Sequence, residues 1–94
     1  MTQRDMEKIL VEVLSQHNAS RIAIFGSRAR GEEHAGSDLD VLVSFSQAKS
    51  LLKMVAIERE LSQRLGIKVD LLTEAAISPH LRERIQSQLK ILLQ

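Results

Sequence analysis

Two alternating stretches, one on each side of a long helix-periodic stretch, restrict this chain more than any other feature. The first, DLDVLVSF at 38–45, puts Leu39, Val41, Val43 and Phe45 on one face and Asp38, Asp40, Leu42 and Ser44 on the other. That is the two-residue period of a strand. The second, IKVDLL at 67–72, puts Ile67, Val69 and Leu71 on one face and Lys68, Asp70 and Leu72 on the other. Between them Leu51, Met54, Ile57, Leu61 and Leu65 recur at helical spacing, with Ser46 or Ser50 to open the helix and Gly66 to stop it. A strand, a helix and a strand in so short a span read as a right-handed βαβ unit, whose two strands run parallel.

The rest of the chain fits around that unit. From Thr2 to His17 the residues Met6, Ile9, Leu10, Val13 and Leu14 form one helical stripe, with Thr2 as cap and Asp5 and Glu7 at the positive end. Asn18-Ala-Ser20 breaks it, and Arg21–Phe25 (RIAIF) reads as a short strand stopped by Gly26. Ser27 to about Glu32 can form one or two helical turns, and Gly31–Gly36 reads as a polar loop. Ser78-Pro79 opens a last helix with a stripe of Leu81, Ile85, Leu89 and Leu92. The expected fold is α/β: a small mixed sheet of about three strands flanked by helices, in the order α-β-α-β-α-β-α. It forms one domain over residues 1–94.

Composition excludes several classes of function. The net charge is +1, from 13 basic and 12 acidic residues, so the chain has no bulk electrostatic grip on DNA or RNA. Phe25 and Phe45 are its only aromatic residues, which leaves no stacking platform for single strands. Direct nucleic-acid binding is therefore not expected. Without cysteine there is neither a disulfide framework nor a thiolate zinc site. No apolar run approaches a membrane span, and the N-terminus does not resemble a signal peptide. A cytoplasmic protein is expected.

Against this background the aspartates stand out. Aspartate is depleted in strands, yet Asp38, Asp40 and Asp70 all fall in strand segments. Residues two apart on a strand point the same way, so Asp38 and Asp40 project side by side. If the third strand pairs with the second, Asp70 joins them. Three adjacent carboxylates repel, and a divalent cation relieves that repulsion. Oxygen ligands without cysteine favour Mg²⁺ or Mn²⁺. Taken singly, each aspartate also has an ordinary reading, as a turn residue or an exposed edge residue.

A second element precedes them. Gly26-Ser27 directly follows a strand, where backbone N–H groups can cradle phosphate oxygens and glycine permits close approach. Arg28 and Arg30 lie beside it and can neutralise a triphosphate or an acidic group of a partner; a solvated surface is their ordinary role. Ten residues separate Ser27 from Asp38. With the first two strands as antiparallel neighbours, that loop returns Asp38 to the place where Gly26-Ser27 ends.

The run GSRARGEEHAGSDLDVLV resembles the signature of the polymerase-β-type nucleotidyltransferase superfamily, and within it the small MNT (minimal nucleotidyltransferase) group. The resemblance covers essentially the whole chain, and Asp70 occupies the place of the third carboxylate. It implies a two-metal transfer of AMP from ATP. Asp38, Asp40 and Asp70 are the implied catalytic metal ligands, and Gly26, Ser27, Arg28 and Arg30 the implied nucleotide-binding residues. Members of this group are commonly paired with a HEPN-domain RNase toxin, whose tyrosine they modify as its antitoxin. A hetero-oligomer with such a toxin is therefore expected, since the chain has no second domain to hold an acceptor. The competing expectation is a non-catalytic module that neutralises its partner by contact, with a vestigial or regulatory nucleotide site.

Overall fold

A computed structural model describes residues 1–32 and 37–94. The last four positions of the loop read at 31–36 lie outside the described residues. Helix α1 (Gln3–Gln16) begins at a reciprocal cap. The Thr2 hydroxyl accepts from the Asp5 N–H at 3.1 Å, and the Asp5 carboxylate accepts from the Thr2 N–H at 3.0 Å. Asn18 then adopts a positive φ of 67°, which Asn tolerates better than most residues, and turns the chain into β1 (Ala19–Phe25). A single helical turn, α2 (Ser27–Arg30), follows and is ended by Gly31 in the left-handed conformation. Next come β2 (Leu39–Phe45), α3 (Leu51–Leu65) and β3 (Val69–Thr73). A 3₁₀ turn (Glu74–Ala76) leads to α4 (Pro79–Gln86), which Ser78 caps and Pro79 opens, and β4 (Lys90–Leu93) ends the order.

The four strands form one sheet in the order β3-β2-β1-β4. β2 and β3 are parallel, as the intervening helix requires, and β1 is antiparallel to both β2 and β4. One face packs on α1 and α3 through Leu10, Val13, Leu14, Ile22, Ile24, Leu39, Val41, Val43, Ile57, Leu61, Leu65, Val69 and Leu71. The opposite face carries a smaller cluster of Leu42, Ile77 and Ile85, with Phe25, Leu72 and Leu89 packed against it. No described helix is long and apolar enough to cross a membrane.

The fourth strand departs from the expected three. The helical stripe read from Leu81 through Leu92 stops at Gln86. There the Ser87 hydroxyl donates to the Arg84 carbonyl and the Gln88 N–H to the Ile85 carbonyl, which closes the helix. Lys90–Leu93 then pairs with the open edge of β1. A short apolar run fits either period, and the vacant hydrogen bonds of β1 decide for strand. Leu51 also departs from expectation: Leu51 and Leu52 are 80% and 84% exposed, so the packing face of α3 begins only at Met54.

The outer edge of β3 is closed by side chains from α3. The Val69 N–H donates to the Ser62 hydroxyl at 3.0 Å, and the Leu71 N–H donates to the Glu58 carboxylate at 2.8 Å. Residues 68, 70 and 72 face β2, so these two amides point outward and would otherwise bond only to water.

Candidate active site

The parallel register pairs Leu39 with Val69, Asp40 with Asp70 and Val41 with Leu71. Pairing therefore buries the flanking aliphatics on the α1/α3 face and sets the Asp40 and Asp70 carboxylates side by side on the other. Both are half-buried, while Asp38, one residue before β2, is exposed.

The antiparallel register sets Phe25 opposite Asp40, so β1 ends beside that carboxylate. The next residue is Gly26, at φ 75° and ψ −157°. A side chain is excluded there twice over. The positive φ strains any L residue, and an added Cβ would collide with Asp40 Oδ2 and stand 3.3 Å from its Cγ. The backbone of the Gly26-Ser27 turn therefore lies directly against the Asp40 carboxylate. The two halves of the sequence motif meet at this contact.

The acids are electrostatically strained together. Burial raises the Asp40 carboxyl above its ordinary range, as do the charges of Asp70 and Asp38 and a hydrogen bond shared with Asp70, while Arg30 pulls it partly back. Lys68 Nζ stands 3.9 Å from Asp70 Oδ1, an exposed contact that neutralises little. Among the described residues, no three acidic or histidine side chains are close enough as they stand to hold an ion jointly. The charge on Asp40, only partly offset by Arg30, nonetheless fits a hard cation, because among the described residues neither carboxylate of the pair has a close, buried cationic partner.

The two arginines differ. Arg30 acts electrostatically on Asp40 and is otherwise held by exposed groups, with Nε 3.1 Å from Glu32 and Nη1 2.8 Å from the Gln88 amide oxygen. Arg28 is committed elsewhere. Its Nε and Nη2 both donate to the Ser37 carbonyl, at 3.2 and 3.0 Å, and its Nη1 donates to the Gln3 amide oxygen at 3.3 Å. Three members of this neighbourhood carry no sequence signal. Phe25 looks like an ordinary strand residue, Gln88 lies in what reads as a helix, and the Ser37 partner is a main-chain atom.

Known proteins share this fold and much of this sequence. The family model described as "Nucleotidyltransferase domain" matches residues 6–92. A Methanocaldococcus jannaschii protein, provisionally named a protein adenylyltransferase, is 40% identical over 88 residues, covering 94% of this chain and 95% of its own. The protein adenylyltransferase MntA of Thermococcus cleftensis is 36% identical over 81 residues, covering 82% of each chain. Among solved structures, a toxin–antitoxin crystal structure with AMP-PNP superposes with a TM-score of 0.84 at 25% identity, over 92% of this chain and 71% of that one. A match from residue 6 to residue 92 leaves little of the sequence unaccounted for, and the chain belongs to the nucleotidyltransferase domain family.

Proposed function

We propose that this chain is a metal-dependent protein adenylyltransferase. It transfers AMP from ATP to a hydroxyl, a tyrosine, of a HEPN-type RNase toxin, and so acts in the cytoplasm as that toxin's antitoxin. The observation that carries this reading is the packing of the Gly26 backbone against Asp40, itself beside Asp70. A turn suited to phosphate oxygens and a pair of carboxylates share one spot on the sheet. The relatives named as protein adenylyltransferases and the toxin–antitoxin neighbour bearing AMP-PNP support the choice of nucleotide and partner.

In this reading Asp38, Asp40 and Asp70 would together hold two divalent ions, Mg²⁺ or Mn²⁺, with Asp38 moving in to join the Asp40–Asp70 pair. When bound, such ions neutralise the triphosphate and acidify the attacking hydroxyl. The N–H groups after Gly26 and the Ser27 hydroxyl grip the outer phosphates, and Arg30 offsets their charge. The acceptor oxygen forms a bond to the α-phosphorus, and the bond from that phosphorus to the bridging oxygen breaks. Pyrophosphate leaves with the electron pair, and the hydroxyl proton passes to Asp70. Attack at the α- and not the γ-phosphorus is what moves a nucleotidyl group.

Incubation with α-labelled ATP, Mg²⁺ and the toxin tests the proposal. Label on the toxin, lost with EDTA, is expected. An unlabelled toxin that is still inhibited sinks the transferase reading and leaves inhibition by contact. Leu51, Leu52 and Val55 are exposed on α3 and offer a partner apolar surface in either reading.

A further inference from the structure

We infer that Arg28 is a positioning residue that fixes Asp38 against the phosphate turn, and is not a phosphate ligand. The inference rests on the function proposed above for the choice of ligand, but its geometry stands independently. Arg28 lies in α2, one residue beyond Gly26-Ser27, and Ser37 immediately precedes Asp38. The guanidinium fork grips the Ser37 carbonyl through two nitrogens, at 3.2 and 3.0 Å. One side chain thus bridges the two ends of the segment that joins the turn to the first carboxylate.

The clamp is itself anchored. Arg28 Nη1 donates to Gln3 Oε1 at 3.3 Å and lies 3.8 Å from Met6 Sδ, both on α1. Gln3 Nε2 donates to Glu7 Oε2 at 3.1 Å, and the same oxygen accepts from Lys90 Nζ at 2.7 Å. A chain of bonds therefore runs from the residue before Asp38 through α1 to β4. It serves a need the sheet does not meet. Asp40 and Asp70 are fixed by strand pairing, whereas Asp38 lies outside β2 and is exposed. The planar fork does this and an ammonium cannot, because one point donor cannot hold a carbonyl twice and reach a second helix.

The contrast with Arg30 supplies the test. Arg28→Lys, Arg28→Gln, Arg30→Lys and Arg30→Gln are compared in the full chain by three measurements. These are Mn²⁺ binding, ATP binding without a divalent ion, and hydrogen exchange at the Leu39 amide, which donates to the Lys68 carbonyl. Both Arg28 variants are expected to weaken Mn²⁺ roughly tenfold, the loss typical when a residue that orients metal ligands is removed. They should speed Leu39 exchange and leave metal-free ATP binding within about twofold, and Lys should not rescue. Arg30→Gln should weaken ATP and Arg30→Lys should largely restore it.

If Arg28→Gln weakens metal-free ATP binding and Arg28→Lys restores it, Arg28 is a phosphate ligand and the clamp is wrong. Should the Arg28 variants not fold, Gln3→Ala removes the hydrogen-bonded part of the α1 anchor, together with the Gln3–Glu7 bond, and leaves the Met6 contact and the Ser37 grip in place. It must then weaken Mn²⁺ by about two- to threefold, and unchanged Mn²⁺ affinity overturns the inference. A wild-type chain that binds neither Mn²⁺ nor ATP refutes the proposed function instead, and Leu39 exchange still decides the clamp.

Discussion

The two faces of the sheet are built from the same strands but obey opposite rules. On the α1/α3 face, β2 and β3 contribute Leu39, Val41, Val43, Val69 and Leu71, all buried in one continuous aliphatic core. On the other face the same two strands contribute Asp40, Leu42, Asp70 and Leu72. There α4 and the 3₁₀ turn cover only the Leu42 end, where Ile77 and Ile85 pack. The first face spends its residues on cohesion. The second carries half-buried like charges that oppose it. Every acid of the site is thus next in sequence to a residue that holds the fold, and the strand period keeps the two tasks apart.

The sharpest way to test that separation is Asp40→Asn. Removing this carboxylate should lower transfer about a thousandfold, the scale set by losing several kcal/mol of transition-state stabilisation. The melting temperature should hold or rise, because repulsion with Asp70 and Asp38 is relieved. A large fall in both would show that the faces are not separable.

The converse change is Leu61→Ala, on a fully buried residue of α3. It should cost about 3 kcal/mol of stability, lowering Tm by roughly 12–24 °C in a domain of this size. Transfer per folded molecule should remain near wild type below the transition. Chemical denaturation and an activity assay on the folded fraction check both.

A smaller effect is expected from pH. The folded-state pKa of Asp40 is raised, so the folded chain binds this proton more tightly than the unfolded one. The associated stability is fully present below the ordinary Asp pKa and is lost as pH rises through the raised value. Metal-free wild type should therefore lose stability across that window relative to Asp40→Asn. Parallel stability–pH curves for the two proteins would discount the charge repulsion.

The smallest change expected is from Glu58→Ala. Loss of the charge-assisted bond to the Leu71 N–H should cost about 1–2 kcal/mol and speed exchange of that amide. The Asp40–Asp70 pairing faces the other strand and should be untouched.

Much of this arrangement was legible beforehand, for identifiable reasons. Strict alternation assigned the side chains of β2, and those of β3 as far as Leu72, to their faces. The intervening helix called for a parallel pair, which allowed Asp70 to join the other acids; the register that sets it opposite Asp40 in particular is seen only in the sheet. Gly26 was legible as a turn, although the reason that it must be glycine, the oxygen of Asp40 in the place of a Cβ, is tertiary. β4 was not legible, because Leu81, Ile85, Leu89 and Leu92 keep helical spacing straight through the helix end. Its strand state comes from the unfilled edge of β1. The engagement of Arg28 was hidden too, since its main partner is a carbonyl that every residue possesses.

The Ser62 and Glu58 bonds along β3 have a consequence for assembly. A sheet whose β3 border has its Val69 and Leu71 amides already engaged is more readily extended by backbone pairing at its other border, along β4, where no such side-chain bond to a strand amide is found among the described residues. Two chains meeting through β4 would present a capped β3 at both ends of the combined sheet. Growth by strand addition would then halt at a pair, and the open-ended stacking that makes exposed strands hazardous would lack a second site from which to continue.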